Sequence, residues 1–389
     1  MIDALTNVSS FHAYEQRILT CKSPKLFLVD IKAFKTINLQ YGDEAGDAIL
    51  RSFSKHLSHF AQSHEMELFR LKNDQFILLL DAPFELSSME KLIFTLCDVL
   101  KTQTYTYNDA SIEVDVHMGI SFDHFHPLEK AQKALLVAKA EDQLFVTYSE
   151  FANTLASESE EKIELLIKES LANEKLVLHF QGVVDRNQHT IYYESLIRMG
   201  CGHGLQSPKL FLKIAKERHV YDLILETIAP KIVALSKTLD LPIALNLSSE
   251  DFLEPSRIDF LCNTFAHTST IFEIQCDDTA HIPMLHGLFA RFKSLGIRIA
   301  LDNVEHASLV EAFDSGVVDY VKIHGDIVRN LSLDERAHLN CRAILETTHH
   351  KQAKSIATHL NAKGALSAAQ TLSFDLFQGY IFELPHPLP

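Results

Sequence analysis

Short apolar runs alternate with amphipathic stretches along the first 150 residues. Residues 25–30 (KLFLVD) form an apolar run that closes on an acid, and residues 46–59 follow with helical spacing. Residues 68–80 (LFRLKNDQFILLL) read as a hairpin, two β-rich runs around the polar turn Lys72, Asn73 and Asp74. A helix is predicted over 87–101, a strand over 112–122 and a helix over 129–140. This order predicts an α+β domain with one sheet over residues 1–150.

The composition then shifts. Residues 151–175 predict a linker that becomes a helix, with Ser157 and Glu160 at capping-box spacing. Ile163, Leu166, Ile167 and Leu171 make one apolar stripe. From 176 to 389, eight strand-like runs appear: 176–184, 191–198, 242–247, 271–276, 297–302, 320–323, 355–359 and 376–382. Helical patterns separate most of them. A short polar loop over 185–190 joins the first two, which predicts an antiparallel pair. Eight strands with intervening helices predict a (β/α)8 barrel, giving an α/β chain overall. Glu194, Asn246, Glu273, Asp302, Lys322 and Gln378 each fall in or at the end of a different strand run, and a barrel gathers strand ends on one face.

Composition narrows the chemistry. The 389 residues are 47% hydrophobic and 22% charged, as in an ordinary globular protein, which excludes a disordered or fibrous chain. Lys and Arg total 36 against 51 Asp and Glu, a net charge of −15, so the chain lacks the basic field that nucleic acid or an anionic membrane requires. With 13 glycines the chain has little material for a glycine-rich phosphate loop. Cys21, Cys97, Cys201, Cys262, Cys276 and Cys341 show no zinc-type spacing, which fits reduced thiols. No signal-type segment and no apolar run of membrane length is present, so a cytoplasmic location is expected.

Both halves resemble bacterial cyclic di-GMP signalling domains. Residues 1–150 resemble a GGDEF (diguanylate cyclase) domain. Asp3 to Thr6 is similar to its opening motif, and residues 26–50 follow the family closely. The resemblance implies a metal-binding acid at Asp30, a substrate-contacting amide at Asn38 and a guanine-reading acid at Asp47. Lys32 and Leu39 stand where acids are usual, and the signature hairpin is rewritten as Lys72, Asn73, Asp74, Gln75 and Phe76. Side chains at 72 and 73 obstruct close approach of a triphosphate to the backbone, and Gln75 is a poorer magnesium ligand than the acid it replaces. Ser63 and Met66 replace the inhibitory RxxD pair. Cyclase activity is not expected.

Residues 176–389 resemble an EAL (cyclic di-GMP phosphodiesterase) barrel. Phe180 and Gln181 are similar to its entry motif, with Gly182 in place of proline. Glu194, Ser195, Leu196, Ile197 and Arg198 are similar to Glu-Ala-Leu-x-Arg, and Asn246, Leu247 and Ser248 to Asn-x-Ser. Glu273, Asp302, Lys322 and the run Gln378, Gly379, Tyr380 match further family positions, with Pro385 and Pro387 beyond. The resemblance implies ligand contacts from Gln181, Glu194, Leu196, Arg198, Asn246, Asp302, Lys322, Gln378 and Tyr380. It also implies one Mg²⁺ or Ca²⁺ site from Glu194, Asn246, Glu273 and Asp302, with no other cofactor.

The departures fall on the catalytic positions. Cys276 and Asn303 replace acids, Thr358 stands where the acid associated with metal-bound water belongs, and His324 replaces an aspartate. The loop at 304–308 is rewritten. A threonine cannot serve as general base near neutral pH, a role typically worth 10²–10⁴-fold. With Lys322 retained and no acid at these positions, no intact catalytic set is expected. The expected function is a catalytically inactive effector or sensor that binds cyclic di-GMP in the barrel. The alternatives are a ligand-free scaffold that regulates a partner and a weak cyclic di-GMP phosphodiesterase. A protein partner is expected but not named, and no sensory segment is expected ahead of Asp3. A homodimer through the region of residues 304–308 stays open.

Overall fold

The computed structural model describes residues 1–389 except 84–85, 102, 109, 141–142, 149–159, 202–203, 207, 277–278, 332–333, 362 and 389. The chain divides into two compact units. One is Met1–Glu158 with Gly200–Gln206, and the other is Ser159–Met199 with Ser207–Pro389.

The first unit contains β1 (Ser9–Ser10), β2 (Pro24–Ile31), β3 (Glu67–Lys72), β4 (Gln75–Asp81), β5 (Thr104–Tyr107), β6 (Ala110–Glu113), β7 (Val116–Ser121) and β8 (Phe145–Thr147). Six of them make a sheet in the order β1-β3-β4-β2-β7-β8, and β5 pairs with β6 alone. The expected single sheet is thus a six-stranded sheet plus a separate hairpin. The run expected as one strand over 112–122 is split between β6 and β7. β2 lies between β4 and β7 and is buried along its whole length, which explains its unbroken apolar run. The β3–β4 hairpin turns at Asn73, whose φ of 49° is left-handed, a region asparagine tolerates better than most residues.

The long helix is Asp43–Ser63, wider at both ends than its apolar spacing suggests. Asp43 and Glu44 in its first turn favour the positive end of the helix dipole. Ile49, Phe53, Leu57 and Phe60 form its buried stripe. Helix Pro127–Ala140 packs on β7 and β2. Gly119 lies beneath it, and a Cβ there would strike the Ala131 and Leu135 backbone, so the helix seats where a side chain is missing.

In the second unit, helix Glu160–Ala172 buries Ile163 and Ile167 against helices Pro208–Glu217 and Tyr221–Leu239. The expected cap at Ser157 lies outside the described residues. The strands of this unit are β9 (Leu176–Val184), β10 (Thr190–Cys201), β12 (Ile243–Ser248), β13 (Thr270–Gln275), β14 (Arg298–Val304), β15 (Tyr320–Ile323), β16 (Lys354–Ala357) and β17 (Leu376–Phe377); β11 (Gly204–Gln206) and the last two residues of β10 fall in the segment grouped with the first unit. The circuit β9-β10-β12-β13-β14-β15-β16-β17-β9 closes, giving an eight-stranded barrel in which β9 runs antiparallel to both neighbours. The last strand is shorter than the run 376–382 suggests. The Leu360 N–H donates to the Gln378 carbonyl at 3.1 Å, and the Ile381 N–H to the Leu360 carbonyl at 3.0 Å. Those bonds turn the chain out of the sheet after Phe377.

Candidate functional site

The barrel interior is built in layers, because alternate residues of a strand face the same side. One apolar layer takes a residue from each strand: Val183, Tyr192, Ala244, Ile271, Ala300, Tyr320, Ile356 and Leu376. Two residues onward toward the C-terminal ends of the parallel strands, and two back along the antiparallel β9, stand Gln181, Glu194, Asn246, Glu273, Asp302, Lys322, Thr358 and Gln378. One apolar floor therefore carries one polar layer. The same step repeated on β10 puts Leu196 and then Arg198 on the Glu194 face. Across from them on β9 stand His179 and Val177.

Lys322 is the hub of the polar layer. Its Nζ lies 2.8 Å from Glu194 Oε2, 2.5 Å from Glu273 Oε2 and 3.9 Å from Asp302 Oδ1. Gln378 Nε2 donates to the same Glu194 oxygen at 2.6 Å, and Asn246 Nδ2 to Glu194 Oε1 at 2.8 Å. Gln378 also reaches Gln181 Oε1 at 3.4 Å, and Gln181 donates to the Glu383 carbonyl at 3.0 Å. Glu383 in turn accepts from the Gly182 N–H through its carboxylate. That N–H exists because glycine stands where the resemblance expects proline.

Tyr192 escaped the sequence reading. Its hydroxyl donates to Glu273 Oε1 at 2.9 Å from the apolar floor, and its ring lies 5.4 Å from that of Tyr320. The signal was available: a tyrosine two positions before Glu194 shares its face.

The charges of this layer are unequal. Burial and the Glu194 carboxylate push Glu273 up to about 8, against the pull of Lys322. Burial also raises Asp302. Burial would raise Glu194 as well, but Lys322, Gln378 and Asn246 outweigh it and hold that carboxyl low. Burial works against the Lys322 charge, yet the three acids overcome it and keep the ammonium protonated.

Thr358, Asn303 and Cys276 stand where the resemblance leads one to expect acids. Thr358 is buried and its hydroxyl donates to the Ile323 carbonyl at 2.7 Å. His359 Nδ1 lies 3.1 Å from the Thr358 oxygen, with a left-handed φ of 56°. Asn303, at φ 53°, sits in a β-bulge where the β14–β15 register shifts, and its amide donates to Gln275 Oε1 at 3.3 Å. Cys276 follows the end of β13 and is a half-buried thiol. Among the described residues no group of three His, Cys, Asp or Glu side chains converges as a metal centre requires. The set expected to hold Mg²⁺ or Ca²⁺ is Glu194, Asn246, Glu273 and Asp302, and its three acids stand around the Lys322 ammonium.

Of the expected ligand contacts, Gln181, Glu194, Asn246, Lys322 and Gln378 are joined by hydrogen bonds, and Asp302 stands beside Lys322. Leu196 and Arg198 lie outward on β10. Tyr380 follows the turn out of β17, its N–H directed to Asn361 Oδ1 at 3.3 Å. In the first unit Asp30 is buried and bonded to Gln75 and Lys139. Asn38 Oδ1 is buried without a partner beside Gly46, and Asp47 lies 3.7 Å from Arg51 on the helix surface. Among the described residues no helix is long and apolar enough to cross a membrane.

An eight-stranded barrel with a reversed entry strand and one polar layer above an apolar floor defines a barrel of the β/α class. Residues 166–385 match the EAL domain, and residues 3–150 match the diguanylate cyclase, GGDEF domain; the chain belongs to the EAL domain family, with the GGDEF domain in tandem ahead of it. Two relatives are the signaling protein YkoW of Bacillus subtilis and MucR of Pseudomonas aeruginosa, described as a bifunctional diguanylate cyclase/cyclic di-GMP phosphodiesterase. YkoW is 25% identical over 93% of this chain and 48% of its own, and MucR 23% over 96% and 57%. The chain thus spans about half the length of these relatives. The S helix-GGDEF-EAL structure of Vibrio cholerae LapD, described as bound to c-di-GMP, shares the fold. It has a TM-score of 0.52 at 15% identity and covers 98% of this chain and 96% of its own.

Proposed function

We propose that this chain is a cyclic di-GMP effector that binds the dinucleotide at the barrel mouth and does not hydrolyse it. The observation that carries the reading is the state of Thr358. It occupies its strand's place in the polar layer, and its hydroxyl is committed to the Ile323 carbonyl. A group of that kind cannot take a proton from water near neutral pH. The grip is better preserved than the chemistry. Arg198 stands two steps outward from Glu194 on one strand face, its guanidinium donating to the Ile197 carbonyl at 2.9 Å, and a guanidinium at that place is a group that can fork onto a phosphate. Leu196 between them, and Tyr380, offer apolar surface to a guanine. That the LapD structure is described bound to c-di-GMP supports the ligand class.

Calorimetry with cyclic di-GMP, with and without Mg²⁺, tests this. Micromolar binding without Mg²⁺, weakened at least tenfold by Arg198→Ala, is the expected result. Absence of heat at high protein concentration would instead favour the ligand-free scaffold. That second reading draws support from Lys322, Glu194, Glu273 and Gln378, which satisfy one another with no ligand. Linear dinucleotide appearing within hours in Mn²⁺ would overturn the assignment of Thr358 as inert.

A further inference from the structure

The acid of β2 in the first unit has a partner that the reading of the barrel does not involve. Asp30 ends the buried apolar run of β2, with its side chain 6% exposed. A buried carboxylate must be paired or must coordinate a metal. Here both oxygens are engaged by donors from two other elements. Gln75, directly across in the β2–β4 register, donates Nε2 to Oδ2 at 2.7 Å. Lys139, in the last turn of helix Pro127–Ala140, places its Nζ 2.6 Å from Oδ1. A cation is favoured there by the carbonyl end of that helix. The GGDEF match implies a divalent metal at Asp30, and these residues do not fit one. Gln75 turns a donor toward Asp30 where a second oxygen ligand would be needed, and an ammonium already meets the Asp30 charge.

We propose that the first unit carries its own cation: the Lys139 ammonium, seated on Asp30 with the Gln75 amide, takes the place of a divalent metal and closes this unit to nucleotides that must arrive as magnesium complexes. The arrangement is intramolecular, so a free ion must displace a tethered charge to enter. Lys139 is 40% exposed, so it reaches Asp30 from the surface, and its substitution leaves the sheet core intact. The proposal stands apart from the barrel and from whatever that barrel binds.

The test counts Mn²⁺ bound per full-length chain by electron paramagnetic resonance, with thermal unfolding followed in parallel. Wild type and Asp30→Asn are expected to bind the same amount of Mn²⁺. The double variant Lys139→Met/Gln75→Glu, which frees Asp30 and restores an acid pair, is expected to bind one additional ion, lost again when Asp30→Asn is added. Loss of an ion from the wild type on Asp30→Asn overturns the proposal, as does a folded double variant that gains none. Should the double variant fail to fold, the comparison of wild type with Asp30→Asn still decides whether Asp30 holds a metal.

Discussion

Replacing Lys322 with methionine probes the polar layer most directly. The change keeps the length of the side chain and removes the ammonium that faces Glu194, Glu273 and Asp302. Removing one partner of a buried ion pair typically costs about 3–5 kcal/mol, because the remaining charge stays buried without compensation. For a unit of this size each kcal/mol lowers the melting temperature by about 2–4 °C, so a fall of roughly 6–20 °C is expected. The pH dependence carries the sharper signature. Glu273 is raised to about 8 even with Lys322 present, so in the folded state it holds its proton more tightly than in the unfolded chain. Its contribution to stability is complete below its unfolded value and disappears as pH rises through about 8. Without Lys322 the carboxyls rise further, and acid neutralises what the ammonium no longer can. In the wild type, Glu194 is held low, and its contribution is lost as pH falls. The deficit of Lys322→Met should therefore be largest above pH 8 and shrink toward pH 5. Scanning calorimetry of both proteins from pH 5 to 9 measures it. A deficit that is flat, or that widens in acid, would refute the placement of an ammonium among three ionisable acids.

Three further outcomes follow from the geometry. Tyr192→Phe removes the donor to Glu273 Oε1 and leaves that oxygen buried and unpaired, costing about 1–3 kcal/mol in urea unfolding. Gly379→Ala places a Cβ against the backbone of Leu360, which cannot yield as a side-chain tip would. It should cost about 1–3 kcal/mol of barrel stability and weaken dinucleotide binding by displacing Gln378. His179 is held down to about 4 by burial, with Arg198 adding to the effect. Cyclic di-GMP binding should therefore show no step near pH 6.5 that His179→Gln abolishes.

Much of the architecture was legible because each signal was local. β9 and β15 match their apolar runs residue for residue, because a barrel strand covered on both faces is buried almost throughout and its apolar run marks both ends. The polar residues Glu194, Asn246, Glu273, Asp302, Lys322 and Gln378 were legible too, each falling in or at the end of a different strand run. Harder to read were places where a distant backbone decides the outcome. β17 stops at Phe377 because Leu360 captures the chain beyond it, and no periodicity within 376–382 records that bond. The strand expected over 112–122 breaks because part of it pairs with Thr104–Tyr107 and the rest with β2.

Sequence alone determined which side chains each strand offers to the barrel interior, because alternation is a property of a single strand and needs no neighbour. Only the tertiary structure decided how those offers combine. Eight strands closing on themselves set Lys322 between acids from β10 and β13, brought Tyr192 up beneath Glu273, and left the Thr358 hydroxyl on the Ile323 carbonyl. In the first unit, helix packing alone carried Lys139 onto Asp30. Partner choice among buried charges depends on distances of a few ångströms between residues far apart in the chain, 49 and 128 positions for Lys322 with Glu273 and Glu194, and that distance is set by closure of the sheet and seating of the helix.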